Sequence, residues 1–412
     1  MGTFLNPGKK AYQMAQNSEI FVDKSEMISY LNSVVNTSQR YVSVSRPRRF
    51  GKSMAAEMIC AYYDREADSR ELFEELKISR IGSSGNEAGV NQWDLYLGRF
   101  DVIYIVMTRF FKKQITVEAA LLKLQKLIIR EMKKAYPETD FYDETDLIQA
   151  IEDVYSCSGR QAVIIIDEWD AVFRVRQNDK EGQTEYLDFL RDLIKENSNI
   201  ALAYMTGILP IKKCGEHSAL NMFTEYSMTF PRQLAEYTGF TEKEVADLCR
   251  KYGRDYHAIK DRYDGYTLSD IIPPDPEHKK QEATGKPLKE VRYSVYCPLS
   301  VVEAVTTGVI RNYWNETESY EALAEFIRKD YAGLRDAVVL LMDGGRLRID
   351  TSTFQNDMTA FHSRDDVLSL LIHLGYLGYD DETSEVFIPN KEILDEFKTS
   401  TKGNEWTDIF RA

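Results

Sequence analysis

Three consecutive residues, Gly51, Lys52 and Ser53, combine the groups that proteins use to bind phosphate. They follow residues 41–45, which alternate and are β-branched as in a strand. They precede residues 54–63, which contain helix formers and no Gly or Pro. Strand, loop, Gly-Lys-Ser and helix is the layout of a phosphate-binding loop, in which backbone amides surround the phosphates. The Lys adds a positive charge and the Ser hydroxyl binds Mg²⁺.

The loop departs from the usual pattern G-x-x-x-x-G-K-[ST], because Arg46 stands where the first Gly is expected. Gly-Lys-Ser also recurs by chance, and a positively charged surface turn is the simpler interpretation of the tripeptide alone. Arg46, Arg48 and Arg49 could bind phosphate oxygens or carry transition-state charge, or they could pair with acids of this chain. We expect one of the three to act on phosphate, and the sequence does not choose which. The predicted nucleotide-binding residues are Arg46, Pro47, Arg48, Arg49, Phe50, Gly51, Lys52, Ser53 and Met54.

A second motif makes the phosphate interpretation much stronger. Residues 162–166 are apolar and mostly β-branched, as in a buried parallel strand, and they end in Asp167 and Glu168. The carboxyl end of such a strand opens at the crevice where α/β sheets bind ligands. We expect Asp167 to hold Mg²⁺ together with Ser53, and Glu168 to activate the attacking water. A core strand followed by an exposed acidic turn would explain the apolar run, but not its pairing with Gly-Lys-Ser.

Two further runs, residues 101–108 and 200–207, are predicted to be strands of the same sheet. The second follows a helix-like stretch over residues 185–196. In P-loop ATPases with a catalytic Glu, an extra strand lies between the loop strand and the acidic strand, and it ends in a polar residue that senses the γ-phosphate. Thr206 could be that residue, or it could cap a turn before Gly207. The predicted fold is therefore α/β, a P-loop NTPase parallel sheet sandwiched by helices.

Composition limits the class of protein. The 412 residues predict two or three domains, and 43% hydrophobic content supplies their cores. A net charge of −14 argues against non-specific nucleic-acid binding by the whole surface. Five scattered cysteines without C-x-x-C suit a reducing cytoplasm and argue against a zinc site. The start has no apolar core, and no apolar run approaches membrane-spanning length, so we expect no membrane partner.

The chain divides by pattern into four segments. Ser25 is predicted to cap a helix within the first segment. Thr241 and Glu244 form a capping-box pattern that predicts a helix ending at Tyr252. The predicted segments are an N-terminal lead (1–38), a P-loop ATPase core (39–235), a helical lid or middle region (236–345) and a winged-helix-like module (346–412).

The winged-helix prediction rests on three elements near the end of the chain. Residues 365–376 predict an amphipathic helix, residues 377–380 and 385–389 a hairpin, and residues 391–397 a further helix. Winged helices bind DNA, but in many ATPases they pack as a lid or contact a protein. The acids on this helix and hairpin favour the second role.

Eight short segments of the chain resemble the bacterial AAA-ATPase-like family: 21–24, 45–53, 165–170, 206–212, 220–226, 239–241, 263–266 and 365–368. The resemblance covers nearly the whole chain. It implies that Arg46 in place of Gly is normal, that Lys52, Ser53, Asp167 and Glu168 are the Walker-type residues, and that the nucleotide is ATP. Proteins of this kind often continue into a PD-(D/E)XK nuclease domain. No such motif is found here, and residues 398–412 are too few for a nuclease core, so we expect the ATPase part alone.

Three functions remain in view. The leading prediction is an Mg²⁺-dependent ATPase whose cycle moves the C-terminal region. A nucleotide-binding assembly module without turnover is the second, although the intact Lys52, Ser53, Asp167 and Glu168 argue against it. A nucleic-acid-dependent ATPase with a nuclease or defence role is the third, and only the family association supports it. A protein client or a nucleic acid is kept as a candidate partner beside ATP, and the sequence identifies neither that partner nor an oligomeric state.

Overall fold

The computed structural model describes residues 2–81, 92–211, 219–272, 289–314, 333–354, 361 and 363–401. Residue 212, the last of the segment 206–212, and residues 402–412 lie outside that description. The chain forms two compact units. The first comprises Met1–Ser45 and Lys52–Glu225, and the second comprises Arg46–Gly51, Tyr226–Gln355 and Ala360–Ala412. The loop before Lys52 therefore groups with the second unit. The four predicted segments stay a prediction.

The first unit is built on a sheet whose described strands are β1 (Tyr41–Ser45), β2 (Asp101–Val106), β3 (Ala162–Asp167), β4 (Ile200–Gly207) and β5 (Thr224–Tyr226). They run in the order β2-β3-β4-β1-β5. The pairs β1–β4, β3–β4 and β2–β3 are all parallel. The predicted extra strand, β4, thus lies between the loop strand β1 and the acidic strand β3, which confirms the predicted P-loop NTPase arrangement.

The central strands are covered on both faces. Every residue of β1, β3 and β4 is buried, which is why β3 and β4 are almost continuous apolar runs rather than alternating ones. Because these strands are parallel, Ser45, Asp167 and Gly207 end at one edge of the sheet. The register brings Val44 opposite Thr206, so the last residues of β1 and β4 are neighbours.

The described helices of the first unit are α1 (Lys10–Gln16), α2 (Met27–Val34), α3 (Lys52–Tyr63), α4 (Arg70–Phe73), α5 (Val117–Ala135), α6 (Leu147–Ser158), α7 (Ala171–Val175) and α8 (Lys180–Ile194). The first two precede β1, and the others lie in sequence between β1 and β4. The predicted cap at Ser25 is wrong: α2 begins at Met27, and the Ser25 hydroxyl instead accepts a hydrogen bond of 3.0 Å from the amide of Ile78. Strand β2 is also shorter than predicted, because residues 107–109 form a turn of 3₁₀ helix.

The second unit contains β6 (Phe240–Thr241), α9 (Glu242–Tyr252), α10 (Tyr256–Tyr263), β7 (Tyr266–Ile272), β8 (Lys289–Tyr296) and α11 (Pro298–Thr307). Its strands form an antiparallel sheet in the order β6-β8-β7. The predicted capping box of α9 is confirmed: the Glu244 amide donates to the Thr241 hydroxyl at 3.4 Å, and the Thr241 amide donates to the Glu244 carboxylate at 2.8 Å. The helix ends at Tyr252, as predicted.

The last described elements of the second unit are α12 (Leu334–Met342), β9 (Leu347–Arg348), α13 (Arg364–Leu374), β10 (Gly378–Asp380), β11 (Glu385–Phe387) and α14 (Lys391–Ser400). Strands β10 and β11 pair antiparallel, and β9 adds to β11. The predicted order of helix, hairpin and helix is confirmed by α13, by β10 with β11, and by α14, while the assignment as a winged helix stays a prediction.

Among the described residues, no helix is both long and apolar enough to cross a bilayer.

Candidate functional site

The predicted phosphate-binding residues lie where the chain enters α3. Gly51 has φ +82°, and no atom lies within 4 Å of the position that a Cβ would take. Its role is therefore the left-handed backbone that starts the helix rather than space for a neighbour. Lys52 is the first residue of α3 and is buried, whereas Ser53 and Met54 are exposed. The first turn of a helix presents amides without intrahelical partners, which suit an anion.

Arg46, the residue in the place of the first Gly, has a role within the second unit. Its side chain is 0% exposed. Its guanidinium donates to the carbonyl oxygens of Tyr226 at 2.8 Å and Leu234 at 3.3 Å. Such a side chain stabilises the backbone around it. Arg48 and Arg49 are exposed, so they remain the candidates for phosphate among the three arginines.

The remaining loop residues also contact the second unit. Pro47 lies against Gly375, where an added Cβ would come within 2.8 Å of the Pro47 Cβ. The Phe50 ring packs edge-on against the Tyr266 ring at 5.4 Å, and the Phe50 carbonyl accepts a hydrogen bond of 2.9 Å from the Gly239 amide. These contacts fix the shape of the loop up to Gly51.

Asp167 and Thr206 meet at the edge of the first unit's sheet. Both residues are buried, and the Thr206 hydroxyl donates to Asp167 Oδ1 at 2.5 Å. The structure therefore places Thr206 beside the predicted Mg²⁺ ligand. This contact satisfies one lone pair of a carboxylate that can accept several bonds.

Glu168 follows Asp167 with a left-handed backbone, φ +55°. A non-glycine residue in this region costs on the order of 1–3 kcal/mol and persists only where its surroundings enforce it. Here the next amide, of Trp169, donates to the Thr206 carbonyl at 2.9 Å and holds the turn. The Glu168 carboxylate is partly exposed and accepts a hydrogen bond of 3.4 Å from Arg174 Nη2.

Asp170 and Arg174 also belong to this site, although no sequence pattern predicted a role for either residue. Asp170 is fully buried and accepts hydrogen bonds from the amides of Ile208 at 3.2 Å and Leu209 at 3.1 Å. Arg174 Nε lies 3.3 Å from Asp170 Oδ2. The available signal was the spacing of four residues between an acid and a base at the start of a helix.

The charges of these residues act on one another. Burial lowers the pKa of Lys52 to about 8, and the carboxylates of Asp170, Asp167 and Glu168 limit that fall, whereas Arg174 adds to it. Burial also raises the pKa of Glu57 on α3, and the charge of Asp167 adds to the rise. The concentration of carboxylates around Asp167 makes this edge attractive to a cation.

The residues here fit Mg²⁺ as part of a nucleotide complex. Ser53 and Asp167 offer hydroxyl and carboxylate oxygens, which hard cations prefer. Within the described ranges, no group of three or more His, Cys, Asp and Glu side chains is assembled to hold a metal ion. Mg²⁺ usually keeps several waters and takes only one or two carboxylates plus phosphate oxygens. A sparse protein contribution is therefore what such a site requires.

Comparison with known proteins places the chain in a sequence family. The profile of the AAA-ATPase-like family, described as "Predicted AAA-ATPase", matches residues 9–215, just over half of the 412 residues. This range includes α3, β3, β4 and the loop before Lys52. No curated protein matches the chain.

Two solved structures from Aeropyrum pernix have low sequence and structural similarity to this chain. The ORC1 protein in complex with DNA is 11% identical, with a TM-score of 0.31 and full coverage of both chains. The ORC2 protein, in ADPNP-ADP complexes, is 12% identical with a TM-score of 0.35, over 98% of this chain and 99% of that one. Likenesses at these scores bear on neither the site residues nor the function.

Proposed function

Because the chain belongs to the AAA-ATPase-like family, we propose that it is an Mg²⁺-dependent ATPase whose cycle drives a conformational switch. The observation that carries the proposal is the placement of buried Lys52 at the start of α3, within electrostatic range of Asp167, which ends β3, and of Glu168 directly after it. A buried Lys beside two carboxylates, at the N-terminus of a helix that follows a loop, suits a triphosphate and its cation.

The proposed roles follow from the chemistry of each side chain. Lys52, protonated at neutral pH, binds the β- and γ-phosphate oxygens together with the backbone amides at the start of α3. Arg48 or Arg49 adds positive charge to the transferring phosphate, because a guanidinium matches phosphate geometry. Ser53 and Asp167 hold Mg²⁺, which when bound neutralises phosphate charge.

Glu168 acts as the general base. A water oxygen attacks the γ-phosphorus, its proton passes to the Glu168 carboxylate, and the bond between the γ-phosphorus and the bridging oxygen breaks. The products are ADP and inorganic phosphate. Thr206 fixes Asp167 through the hydrogen bond described above, and in this proposal it also senses the γ-phosphate. We place this activity in the cytoplasm on the basis of the scattered cysteines; those at 60, 157, 249 and 297 are free.

The proposal is tested by phosphate release from ATP and Mg²⁺, beside equilibrium binding of a fluorescent ATP analogue. Wild type should hydrolyse ATP, and Lys52→Ala should lose both turnover and tight binding. Lys123→Ala, which changes an exposed Lys of α5, is the matched control and should match wild type. Binding without hydrolysis by wild type would contradict the ATPase and indicate an assembly module. Unchanged turnover in Lys52→Ala would contradict the assigned site.

A further inference from the structure

Arg174 connects the predicted general base to the end of the neighbouring strand. Its Nη2 contacts Glu168 at 3.4 Å, and its Nε pairs with Asp170 at 3.3 Å. The amides of Ile208 and Leu209, directly after β4, hold Asp170 in turn. The series of contacts therefore runs from a fixed backbone, through a buried carboxylate and a guanidinium, to Glu168.

The two ends of this series differ in freedom. Asp170 is 0% exposed at its side chain, Arg174 is 16% exposed and Glu168 is 35% exposed. A partly exposed Glu side chain must give up rotamer entropy when it adopts one orientation. A guanidinium is planar and rigid, so an Arg that is itself fixed can hold such a carboxylate in one place.

We infer that Arg174 is a positioning residue for Glu168, which keeps the carboxylate oriented for the water that attacks ATP. The inference rests on the proposed function. Arg174 acts through Glu168 and takes no proton itself. The charges of Arg174 and Glu168, like those of Asp167 and Asp170, also act on Lys52.

Two other roles for Arg174 give different results. A purely structural Arg would tie α7 to Asp170, and its loss would lower stability without acting specifically through Glu168. An Arg that bound phosphate directly would mainly affect the affinity for ATP. A double-mutant cycle with Glu168→Gln separates these roles, because residues that act as a unit show non-additive effects.

The test compares Arg174→Met, Arg174→Lys, Glu168→Gln and the double variant Arg174→Met/Glu168→Gln in the full chain. The matched control is Arg176→Met, because Arg176 is 21% exposed and pairs with Asp179 at 3.0 Å. Steady-state hydrolysis gives kcat and KM, an ATP analogue gives Kd, and thermal unfolding monitors folding.

Arg174→Met should lower kcat by about 10- to 100-fold, the cost of a misplaced catalytic group. Its Kd for ATP should stay within about 3-fold of wild type, because in this inference Arg174 orients Glu168 and does not itself bind ATP. Arg174→Lys should recover part of kcat, the double variant should be no slower than Glu168→Gln alone, and Arg176→Met should match wild type. If Arg174→Met does not fold, Arg174→Lys carries the same cycle, since it keeps a charge near Asp170.

The inference would be overturned if the double variant lost kcat by the product of the two single-variant losses. A rise in the Kd of Arg174→Met that accounts for its loss of activity would also overturn it. If wild type hydrolyses ATP and both Arg174→Met and Arg174→Lys hydrolyse it equally fast, this inference is overturned and the proposed function stands. A wild type that hydrolyses no ATP overturns the proposed function and this inference with it.

Discussion

The hydroxyl of Thr206 donates a 2.5 Å hydrogen bond to Asp167 Oδ1, and both residues are buried at the ends of adjacent strands. The bond joins the strand that carries the predicted Mg²⁺ ligand to the strand inserted beside the loop strand. It fixes one oxygen of the carboxylate while leaving acceptor capacity for a cation.

Thr206→Val should therefore lower both stability and turnover. The valine keeps the shape but removes the donor, which leaves a buried carboxylate under-satisfied at a cost of about 1–3 kcal/mol. Thr206→Ser retains the hydroxyl and should keep most of the activity. Denaturant unfolding and ATP hydrolysis measure the two effects. Equal behaviour of the Val variant and wild type would show that the hydrogen bond has no role.

Arg46→Ala should destabilise the protein, whereas Arg48→Ala should leave its stability nearly unchanged. Removing the buried guanidinium leaves two carbonyl oxygens without their donor, and the expected loss is on the order of 3 kcal/mol. Arg48 is exposed, so its removal should change stability by no more than about 0.5 kcal/mol. Chemical denaturation measures both variants. An Arg46→Ala protein as stable as wild type but poor in ATP binding would reverse these assignments.

The contrast between these arginines shows what the sequence could and could not predict. The layout of strand, loop and Gly-Lys-Ser predicted the start of α3, and the apolar run before Asp167 predicted β3, because both signals are local. The position of β4 between β1 and β3 followed from the polar end at Thr206 and general knowledge of P-loop sheets. The partners of Arg46 lie about 180 residues away in the chain, so no local pattern could separate it from Arg48 and Arg49.

The same limit explains why Arg174 was missed. Its pairing with Glu168 depends on the left-handed turn at Glu168 and on amides that follow β4, and both are products of the folded sheet. The wrong prediction of a cap at Ser25 has a similar origin. The Ser25 hydroxyl accepts a hydrogen bond from the amide of Ile78, which is distant in the sequence, and not from the helix that follows Ser25.

Gly207→Ala should displace Trp169. An added Cβ would lie 2.5 Å from Trp169 Cδ1 and 3.0 Å from Asp170 Oδ1, and both side chains are buried. Overpacking of this kind costs typically about 1–3 kcal/mol. We expect a lower unfolding temperature and altered tryptophan fluorescence in the native state.

Gly253→Ala is the control for that substitution. No atom lies within 4 Å of a Cβ there, but φ is +63°. The substitution should therefore lower the free energy of unfolding only by the cost of a left-handed backbone at a residue with a Cβ, about 1–2 kcal/mol. Its tryptophan emission should match that of wild type. If Gly207→Ala has native emission and full stability, Trp169 does not pack as described.

His373 should make the protein sensitive to acid. Burial and the charge of Arg46 lower its pKa from 6.5 to about 3. Between these values the unfolded chain binds a proton and the folded protein does not, so stability falls as pH drops below 6.5 and recovers as pH rises. The slope is about 1.4 kcal/mol per pH unit at most.

Denaturant unfolding from pH 7.5 to pH 4.5 measures this dependence. His373→Gln should lose stability less steeply than wild type over that range, because it removes the proton uptake of the unfolded chain. His257→Gln, at an exposed position of α10, should keep the wild-type slope. Parallel slopes for wild type and His373→Gln would contradict the assignment.

The most direct test of the ATPase proposal is Glu168→Gln, measured for ATP hydrolysis and for ATP binding on the same preparation. The amide keeps the size of the side chain but cannot take a proton from water. The account predicts that turnover falls by about 100-fold or more, the usual contribution of a general base. ATP affinity should stay close to that of wild type. Undiminished turnover in Glu168→Gln would show that another group activates the water, and would contradict the mechanism.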